Sequence, residues 1–477
     1  MASPIHARPS AAPRRPLVQP AARWVRRLWN DPGIARPATA LPRLWPTAWV
    51  TILPIAMMLA TEYKFRQRTL ADSLSGSADP AVLVELGVYA AVVGYLVLFV
   101  VSPPRLRRPT AVQFFMRGYA AAMFVSVIYS EYPQLGAVRG AQLLVMVVTA
   151  GAIATRASAR QMLQLGHAFV ALVTGSVLIG LVYRVPFSPL QANRFSWIYV
   201  HPVTAGAMLA LALVIALCLM TNHNELPYGL DHWPRPVYLV VMAVMTAALL
   251  GTQTRGAIGA AVVGLMVSGF FIVPRRERLP LGVVAGTGLA LTVAAFIGPI
   301  VTFLERGEST ANLATVSNRT ELWSIAFGLF TDHPITGWGL ATSRGIFYDK
   351  VGLGGAHNAF VNVLVDGGLI GTSLWLALVV AIALGIRRLL REGHRDGPLL
   401  AGLLATMMVN GLTVEGVGSG IGMSALWLLL TGAWVGVAQR QVTAAHRQLA
   451  PPPSVGRDRG QLAPMPARRE ELEISRV

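Results

Sequence analysis

Residues 200–221 read VHPVTAGAMLALALVIALCLMT, and this stretch decides the class of fold. It contains no aspartate, glutamate, lysine or arginine. The hydrocarbon core of a bilayer is about 30 Å thick, so a helix needs about 20 predominantly apolar residues to cross it. The stretch therefore predicts a transmembrane helix.

Similar apolar runs, bounded by charge or proline, recur on both sides of this one. They lie at about 46–61, 81–101, 111–129, 135–154, 162–183, 200–221, 236–252, 256–273, 281–304, 360–386, 398–414 and 421–438. The whole chain is 54% hydrophobic and only 13% charged, whereas an ordinary soluble domain has about 25% charged residues. The sequence therefore predicts an all-α integral membrane protein with about 12 transmembrane helices.

The distribution of basic residues predicts the orientation of these spans. A net charge of +18 would suggest nucleic acid as a partner of a soluble protein, but here arginines lie in tails and short loops. Cytoplasmic loops of membrane proteins are enriched in lysine and arginine. We therefore predict that both termini are cytoplasmic and that nucleic acid is not a partner. One long loop, at about residues 305–359 between the ninth and tenth spans, would then lie outside.

Polar tails flank the predicted membrane domain, which covers residues 47–438. Residues 1–46 are rich in arginine and proline and contain one acidic residue, Asp31, so we predict a disordered basic cytosolic tail. Residues 439–477, with prolines at 451–453, are predicted to form a second disordered cytosolic tail. Cys218 is the one cysteine of the chain, so an intrachain disulfide or a cysteine-based metal cluster is excluded.

The candidate functional residues are ionisable side chains on the predicted outer side. They are Arg194, His201, Arg255, Arg319, His333, Arg344, His357, Asp366 and Glu415. Arginine can bind a phosphate group through two hydrogen bonds, and histidine is the usual general base near neutral pH. Each residue also has a structural interpretation, as a snorkelling arginine, an interfacial anchor or a helix cap.

Motifs for other kinds of chemistry are missing from the sequence. It has no phosphate-binding Walker loop, no His-Glu-x-x-His zinc motif, no Gly-x-Ser-x-Gly elbow and no Asp-x-Asp pair. We therefore expect neither a cofactor nor a metal site. Arginines combined with a histidine suit a substrate that carries its own activated phosphate leaving group.

Five short motifs together resemble a known family. They are TQTRGA at 252–257, NRTELW at 318–323, HPITGWG at 333–339, AHNAF at 356–360 and DGGLIG at 366–371. In this order, with about twelve spans and a large outer loop, they look like the signatures of the O-antigen ligase and polymerase superfamily. The resemblance covers roughly residues 47–438 and is most specific in the second half.

The resemblance implies a metal-independent inverting glycosyltransferase of the bacterial inner membrane, with a periplasmic active site. Its donor would be a glycan linked to undecaprenyl diphosphate. His357 would be the catalytic base, and Arg255, Arg194 and Arg319 would bind the diphosphate. Asn358, Glu321 and His333 are candidates for supporting roles. The acceptor stays open: lipid A-core for a ligase, another carrier-linked glycan for a polymerase, or a protein.

Two other classes of function compete with glycan transfer. A transporter or flippase for lipid-linked sugars would also place arginines in a cavity, but such proteins often contain internal repeats and interrupted helices near the midplane. The sequence has no convincing repeat, and its polar residues collect at one face. A purely structural membrane subunit is the third alternative, and its spans should lack a convergent group of arginine and histidine.

Overall fold

Helices are the regular secondary structure throughout the part of the chain that the computed structural model describes. That part comprises residues 48–63, 80–100, 109–186, 191–221, 233–295, 297–298, 302, 319–418 and 421–449, and it contains no β-strand. The helices are α1 (Trp49–Glu62), α2 (Pro80–Tyr95), α3 (Ala111–Val125), α4 (Pro133–Arg156), α5 (Ala159–Val182), α6 (Pro202–Thr221), α7 (Arg235–Gly251), α8 (Arg255–Ile272), α9 (Arg275–Ala295), α10 (Arg319–Asp332), α11 (Thr342–Val351), α12 (Ala359–Arg391), α13 (Gly397–Gly411) and α14 (Met423–Leu449). A π-helical turn, Leu96–Val100, extends α2, and a 3-10 turn, Ser126–Tyr129, extends α3.

Each apolar run predicted as a span overlaps one of these helices, although the ninth run, 281–304, extends beyond α9 into residues that are only partly described. Among the described residues, seven helical segments are long and apolar enough to cross a membrane, and three shorter apolar helices, α1, α7 and α13, accompany them. Large apolar side chains also point outward, as in the π-helical turn after α2, where Leu98 and Phe99 are 75% and 73% exposed. These observations confirm the all-helical class, while the number of about twelve spans stays a prediction.

The helices differ from the predicted segments near the ends. α14 continues to Leu449, past residue 438, where the disordered tail was predicted to begin. Residues 439–449 contain no proline or glycine, and the Arg440 guanidinium donates a hydrogen bond to the Ala157 carbonyl (2.7 Å). Part of the predicted outer loop is also helical, because α10 and α11 fall within it. The predicted tail 1–46, residues 450–477 and residues 305–318 of the loop lie outside the described residues.

α6 lies at the centre of the bundle and contacts α5, α7, α8 and α13. Nearly every side chain from Pro202 to Met220 is buried. A helix that is apolar all round suits this position, because it has no face that must meet water. The most hydrophobic stretch of the sequence therefore forms the central helix of the bundle.

Among the described helices, α8 and α13 pack most closely against each other. A Cβ atom at Gly264 would overlap the Thr406 hydroxyl, and one at Gly402 would overlap the Ser268 hydroxyl. Small residues of this kind let two helix backbones approach closely inside a membrane. The pair brings the first residue of α8, Arg255, to the same end of the bundle as the turn that follows α13.

α12 is broken at Gly368, which has φ 57° and ψ −156°. A break in a helix leaves backbone groups without helical partners, and here the segment 334–339 supplies the missing ones. The hydrogen bonds run from Trp338 N–H to Val365 O (2.9 Å), from Gly339 N–H to Asp366 O (2.9 Å), from Leu369 N–H to Pro334 O (2.8 Å) and from Ile370 N–H to Ile335 O (3.1 Å). The HPITGWG and DGGLIG motifs therefore form one structural unit.

The buried Asp366 carboxylate completes this unit. It accepts hydrogen bonds from the backbone N–H groups of Ser343 (2.7 Å) and Ala341 (3.2 Å). Asp366, which the sequence placed among the outer ionisable residues, thus fixes the start of α11. Its contacts give it a structural role.

We expect Gly368→Ala to destabilise the protein by about 1–3 kcal/mol. The residue has a positive φ, and an added Cβ atom would lie 2.5 Å from both the Gly337 nitrogen and the Ile335 oxygen. Thermal unfolding of the purified protein in detergent would measure the loss. Gly269→Ala in α8 is the matched control, because a Cβ atom there meets nothing within 4 Å. Equal unfolding temperatures for the two variants would contradict the proposed tight fit at the break.

Candidate functional site

Several chain segments meet at one end of α6, α8, α12 and α13 to form the candidate site. One segment precedes α6 and carries Arg194, and a tight turn before α8 carries Arg255. Arg319 begins α10, and His357 lies just before α12. The turn after α13 contributes Glu415.

Arg194 lies beside the turn that begins α8. Its Nε donates to the Thr252 carbonyl (2.9 Å) and its Nη2 to the Thr254 hydroxyl (2.9 Å). Burial lowers the pKa of Arg194 below its usual range, although a guanidinium stays protonated in proteins. Since a guanidinium has five N–H donors, Arg194 can hold this turn and still offer donors to a ligand.

Arg255 is the first residue of α8, where the helix begins without a side-chain cap from Thr254. A helix N-terminus favours anions because its first N–H groups lack helical partners. Gly256 packs directly on Thr413, so that any larger residue would overlap the threonine side chain. The first turn of α8 therefore lies against the turn that carries Glu415.

Arg319 joins α10 to the same turn through a hydrogen bond from its Nη2 to the Thr413 carbonyl (3.4 Å). Burial lowers the pKa of Arg319, the positive charge of Arg255 lowers it further, and the negative charge of Glu415 acts in the opposite direction. Both charges are thus close enough to act on Arg319. With Arg194, three guanidinium groups and one carboxylate share this end of the bundle.

His357 and Glu415 form a hydrogen-bonded pair at the centre of the cluster. The Nδ1 atom of His357 lies 3.1 Å from the Glu415 Oε1 atom, which also accepts the His357 backbone N–H (2.9 Å). A carboxylate only accepts hydrogen bonds, so Nδ1 carries a proton, and in the neutral imidazole Nε2 has the lone pair. This arrangement resembles the carboxylate–imidazole pairs that orient a general base.

The pair also changes the acidity of both groups. The hydrogen bond to Glu415 raises the pKa of His357 above 6.5, although burial opposes the change. Burial alone would raise the pKa of Glu415, but the hydrogen bond and charge of His357 outweigh it and lower the pKa. His357 keeps 43% of its side chain exposed, whereas Glu415 keeps 23%. The imidazole is thus the more accessible of the two.

The backbone around His357 is fixed by side chains of α10 and α12. The Trp323 indole donates to the Ala356 carbonyl (3.2 Å), and the Ala356 N–H donates to the Asn362 side-chain oxygen (2.9 Å). Ala356 belongs to a small apolar core that joins α10, α11 and α12. At Gly355, which has φ 146°, a Cβ atom would lie 2.8 Å from the Glu415 Oε1 atom. Only a glycine leaves room for the carboxylate.

Strained backbone conformations cluster at the site. His357 has φ 51°, Gln253 has φ 51° and Tyr199 has φ 54°, a region that residues other than glycine seldom adopt. Gln253 lies two residues before Arg255, and Tyr199 two residues before His201. Strain of this kind is often found at functional sites, and here it supports the assignment of this cluster.

His201 lies close enough to Arg194 and His357 to feel their charges, but it has a different role from either. Its Nδ1 accepts the Val203 backbone N–H (3.1 Å) and so caps the start of α6. Burial, followed by the positive charges of Arg194 and His357, lowers the pKa of His201 to about 4. The imidazole is therefore neutral at physiological pH and adds no charge to the cluster.

The supporting candidates from the sequence fall in different places. Asn358 caps α12, because its side-chain oxygen accepts the N–H groups of Phe360 (2.9 Å) and Val361 (3.2 Å). Glu321 lies exposed on the first turn of α10. His333 packs edge-to-face on Trp338, with ring centres 4.3 Å apart. It follows the last residue of the 14-residue α10, so about 20 Å of helix separates it from Arg319.

Glu415 is the residue whose role the sequence did not reveal. It was recognised only as one of the outer ionisable residues. The available signal was an acidic residue in the short connection between two apolar runs, at 398–414 and 421–438. That signal identifies a polar position but not its partner, because His357 lies 58 residues away in the chain.

The helices and this polar cluster define a polytopic membrane protein with a basic, histidine-containing site at one end of its bundle. Residues 240–376 match the family model described as O-antigen ligase. The O-antigen ligase of Pseudomonas aeruginosa is 25% identical over 327 residues, which cover 66% of this chain and 74% of that protein. These two matches support the O-antigen ligase and polymerase superfamily. They also support a role in polysaccharide biosynthesis. The matched region contains Arg255, Arg319 and His357.

Proposed function

We propose that this protein transfers a glycan from undecaprenyl diphosphate to an acceptor hydroxyl at the periplasmic face of the bacterial inner membrane. The observation that carries the proposal is the His357–Glu415 pair beside the Arg255 and Arg319 guanidinium groups. A base and a set of phosphate-binding groups are what transfer from a sugar diphosphate requires. The family match supports glycan chemistry over other reactions of phosphate esters.

In the proposed reaction the acceptor hydroxyl attacks the anomeric carbon of the donor. A new bond forms between the acceptor oxygen and this carbon, while the bond from the carbon to the diphosphate oxygen breaks. The Nε2 atom of His357 takes the hydroxyl proton, and Glu415 stabilises the resulting imidazolium. Attack opposite the leaving group inverts the anomeric configuration.

The departing diphosphate takes the electron pair of the broken bond and gains negative charge. Arg255 and Arg319, together with the remaining donors of Arg194, would bind its oxygens and stabilise that charge as it develops. These fixed cations can supply the neutralisation that a diphosphate leaving group needs. We therefore propose that the reaction requires no metal ion.

The positions of other arginines support the proposed orientation. Arg275 follows the far end of α8, and Arg387 and Arg391 lie near the far end of α12, opposite the site. α14 ends on the same side, where Gln441 contacts His394 (3.2 Å). If this arginine-rich end is cytoplasmic, the His357 site is periplasmic.

The acceptor is the least constrained part of the proposal. The match to an O-antigen ligase favours lipid A-core as the acceptor, which makes the reaction one of lipopolysaccharide biosynthesis. A polymerase of the same superfamily would instead extend a second carrier-linked glycan. A protein acceptor defines the third branch.

Reconstitution would test the proposed function. The purified full-length protein in proteoliposomes would receive undecaprenyl-diphosphate-linked glycan and each acceptor in turn, with EDTA and without nucleotide. We expect a new glycosidic linkage with one acceptor and release of undecaprenyl diphosphate. Movement of the carrier across the bilayer without a new linkage would instead indicate transport.

We expect Glu415→Gln to move the rising limb of the pH–rate profile to lower pH. Glu415 raises the pKa of His357, and a general base works in its neutral form, so transfer increases as the pH rises through that raised pKa. Removing the carboxylate lowers the pKa. The maximum rate should also fall at least about tenfold, because the imidazolium loses its partner and the base becomes weaker.

Initial rates of transfer across a pH series would measure this effect. Glu321→Gln, which changes an exposed carboxylate on α10, is the matched control and should leave the profile unchanged. A limb that stays in place or moves to higher pH in Glu415→Gln would show that Glu415 does not tune His357.

A further inference from the structure

A cavity of about 510 Å³ lies at the far end of α8, α12 and α13, away from the His357 site. Its walls are largely apolar, with Phe271, Ile386, Leu404 and Met408 among them. Guanidinium-bearing residues also line it, namely Arg275, Arg278, Arg387 and Arg391. A cavity that joins apolar walls to several cations is itself amphipathic.

A second cavity of about 560 Å³ adjoins the first and shares Arg275, Arg278 and Arg391 with it. It continues over the polar turn between α12 and α13, at residues 392–395. The apolar part of the combined site thus lies along the helices, and the polar part lies at their ends. A membrane lipid has the same arrangement, with apolar acyl chains inside the bilayer and a polar headgroup at its surface.

Several charged residues at this end already have partners within the protein. Glu392 pairs with Arg388 (3.0 Å), and Asp396 lies 3.6 Å from Arg395. Arg278 donates to the Val273 carbonyl at the end of α8 (3.0 Å).

Three arginines of the cavity keep their charge available. Among the described residues, no carboxylate pairs with Arg275, Arg387 or Arg391. Arg387 and Arg391 are four residues apart and therefore lie on one face of α12. The site thus carries positive charge that an anionic ligand can neutralise.

We infer that this site binds an anionic phospholipid of the cytoplasmic leaflet. The phosphate headgroup would contact Arg275, Arg387 and Arg391, and an acyl chain would occupy the apolar cavity. Basic pockets between helices on the cytoplasmic side attract anionic lipid headgroups. A free phosphate would leave the apolar walls unused, and a zwitterionic lipid would leave the excess positive charge unbalanced. The inference does not depend on the proposed glycan transfer.

Binding of radiolabelled phosphatidylglycerol to the full-length protein in mixed detergent micelles would test the inference. We expect saturable binding that phosphatidylcholine competes for weakly. Arg387→Gln/Arg391→Gln should weaken it roughly tenfold or more, since each basic residue contributes to the attraction of anionic lipid.

Arg156→Gln/Arg276→Gln is the matched control, because it removes the same charge at the same end without touching the cavity. It should bind phosphatidylglycerol like the wild type. Thermal unfolding of both double variants would establish that each is folded, and Arg275→Gln offers a second change in the same site. Equal binding of the two phospholipids would overturn the inference, as would equal losses in both double variants. Tighter binding of free pyrophosphate or of undecaprenyl diphosphate at this site would also overturn it.

Discussion

Replacing His357 with alanine is expected to reduce glycan transfer roughly 10²- to 10⁴-fold, the usual contribution of a general base. The imidazole Nε2 is the atom that we propose takes the proton of the acceptor hydroxyl, and alanine has no group to replace it. Initial rates in proteoliposomes, with donor and acceptor in excess, would measure the loss. The protein should still insert into the membrane.

A second substitution at His357 is needed, because alanine could also disturb the backbone there. Its φ of 51° is unfavourable for alanine, whereas asparagine tolerates this region. His357→Asn should therefore keep the local fold and still lose transfer. Near wild-type activity in His357→Asn would refute the assignment of His357 as the base.

His333→Ala is the matched control for the change at His357. His333 packs on Trp338 at the far end of α10, so its loss should leave the rate of transfer close to that of the wild type. If instead His333→Ala abolished transfer and His357→Ala did not, the histidine of the outer turn would be the functional one.

Replacing Arg255 with alanine is expected to lower the rate of transfer about 10²- to 10³-fold. Loss of one fixed group that stabilises developing charge usually has an effect of this size. Arg255 begins α8 beside Arg319 and the turn that carries Glu415. Its loss would leave the departing diphosphate with fewer cations, so the effect should appear mainly in kcat. Arg255→Lys should recover only part of the rate, because lysine keeps the charge but lacks the paired donors of arginine.

Steady-state kinetics with varied donor concentration would separate kcat from KM for these variants. Lys350→Ala, which removes an exposed cation at the end of α11, is the control for a general change in charge. A similar loss in Lys350→Ala would indicate a nonspecific electrostatic effect. An unchanged kcat in Arg255→Ala would contradict the proposed stabilisation of the leaving group.

The helices of this protein were predictable because long apolar runs leave few alternatives in a membrane. Backbone polar groups within a bilayer must be hydrogen-bonded inside the protein, and a continuous apolar run such as 202–221 achieves this by forming a helix. Arginines and a histidine next to such runs, such as Arg255 and His357, could also be identified from the sequence, because polar residues are easily recognised beside apolar spans. The motifs around them resemble those of the superfamily that the family match and the relative support.

The sequence did not predict which side chains contact these residues. The sequence offered His333 and Glu321 as supporting candidates, since both lie in motifs within the predicted outer loop. The structure instead joins the His333 motif to the break at Gly368 and leaves Glu321 exposed on α10. Glu415, which lies in no recognised motif, became the partner of His357.

The sequence by itself determined the class of fold, the positions of the helices and the residue types available at the outer end, because hydrophobicity and charge act locally along the chain. Tertiary structure alone decided which of these residues meet. The packing of α8 against α13 brings Arg255 to the Glu415 turn, and the small core of α10, α11 and α12 delivers His357 to the same place. Such contacts depend on close approach between segments distant in the chain, and no local pattern of residues specifies them.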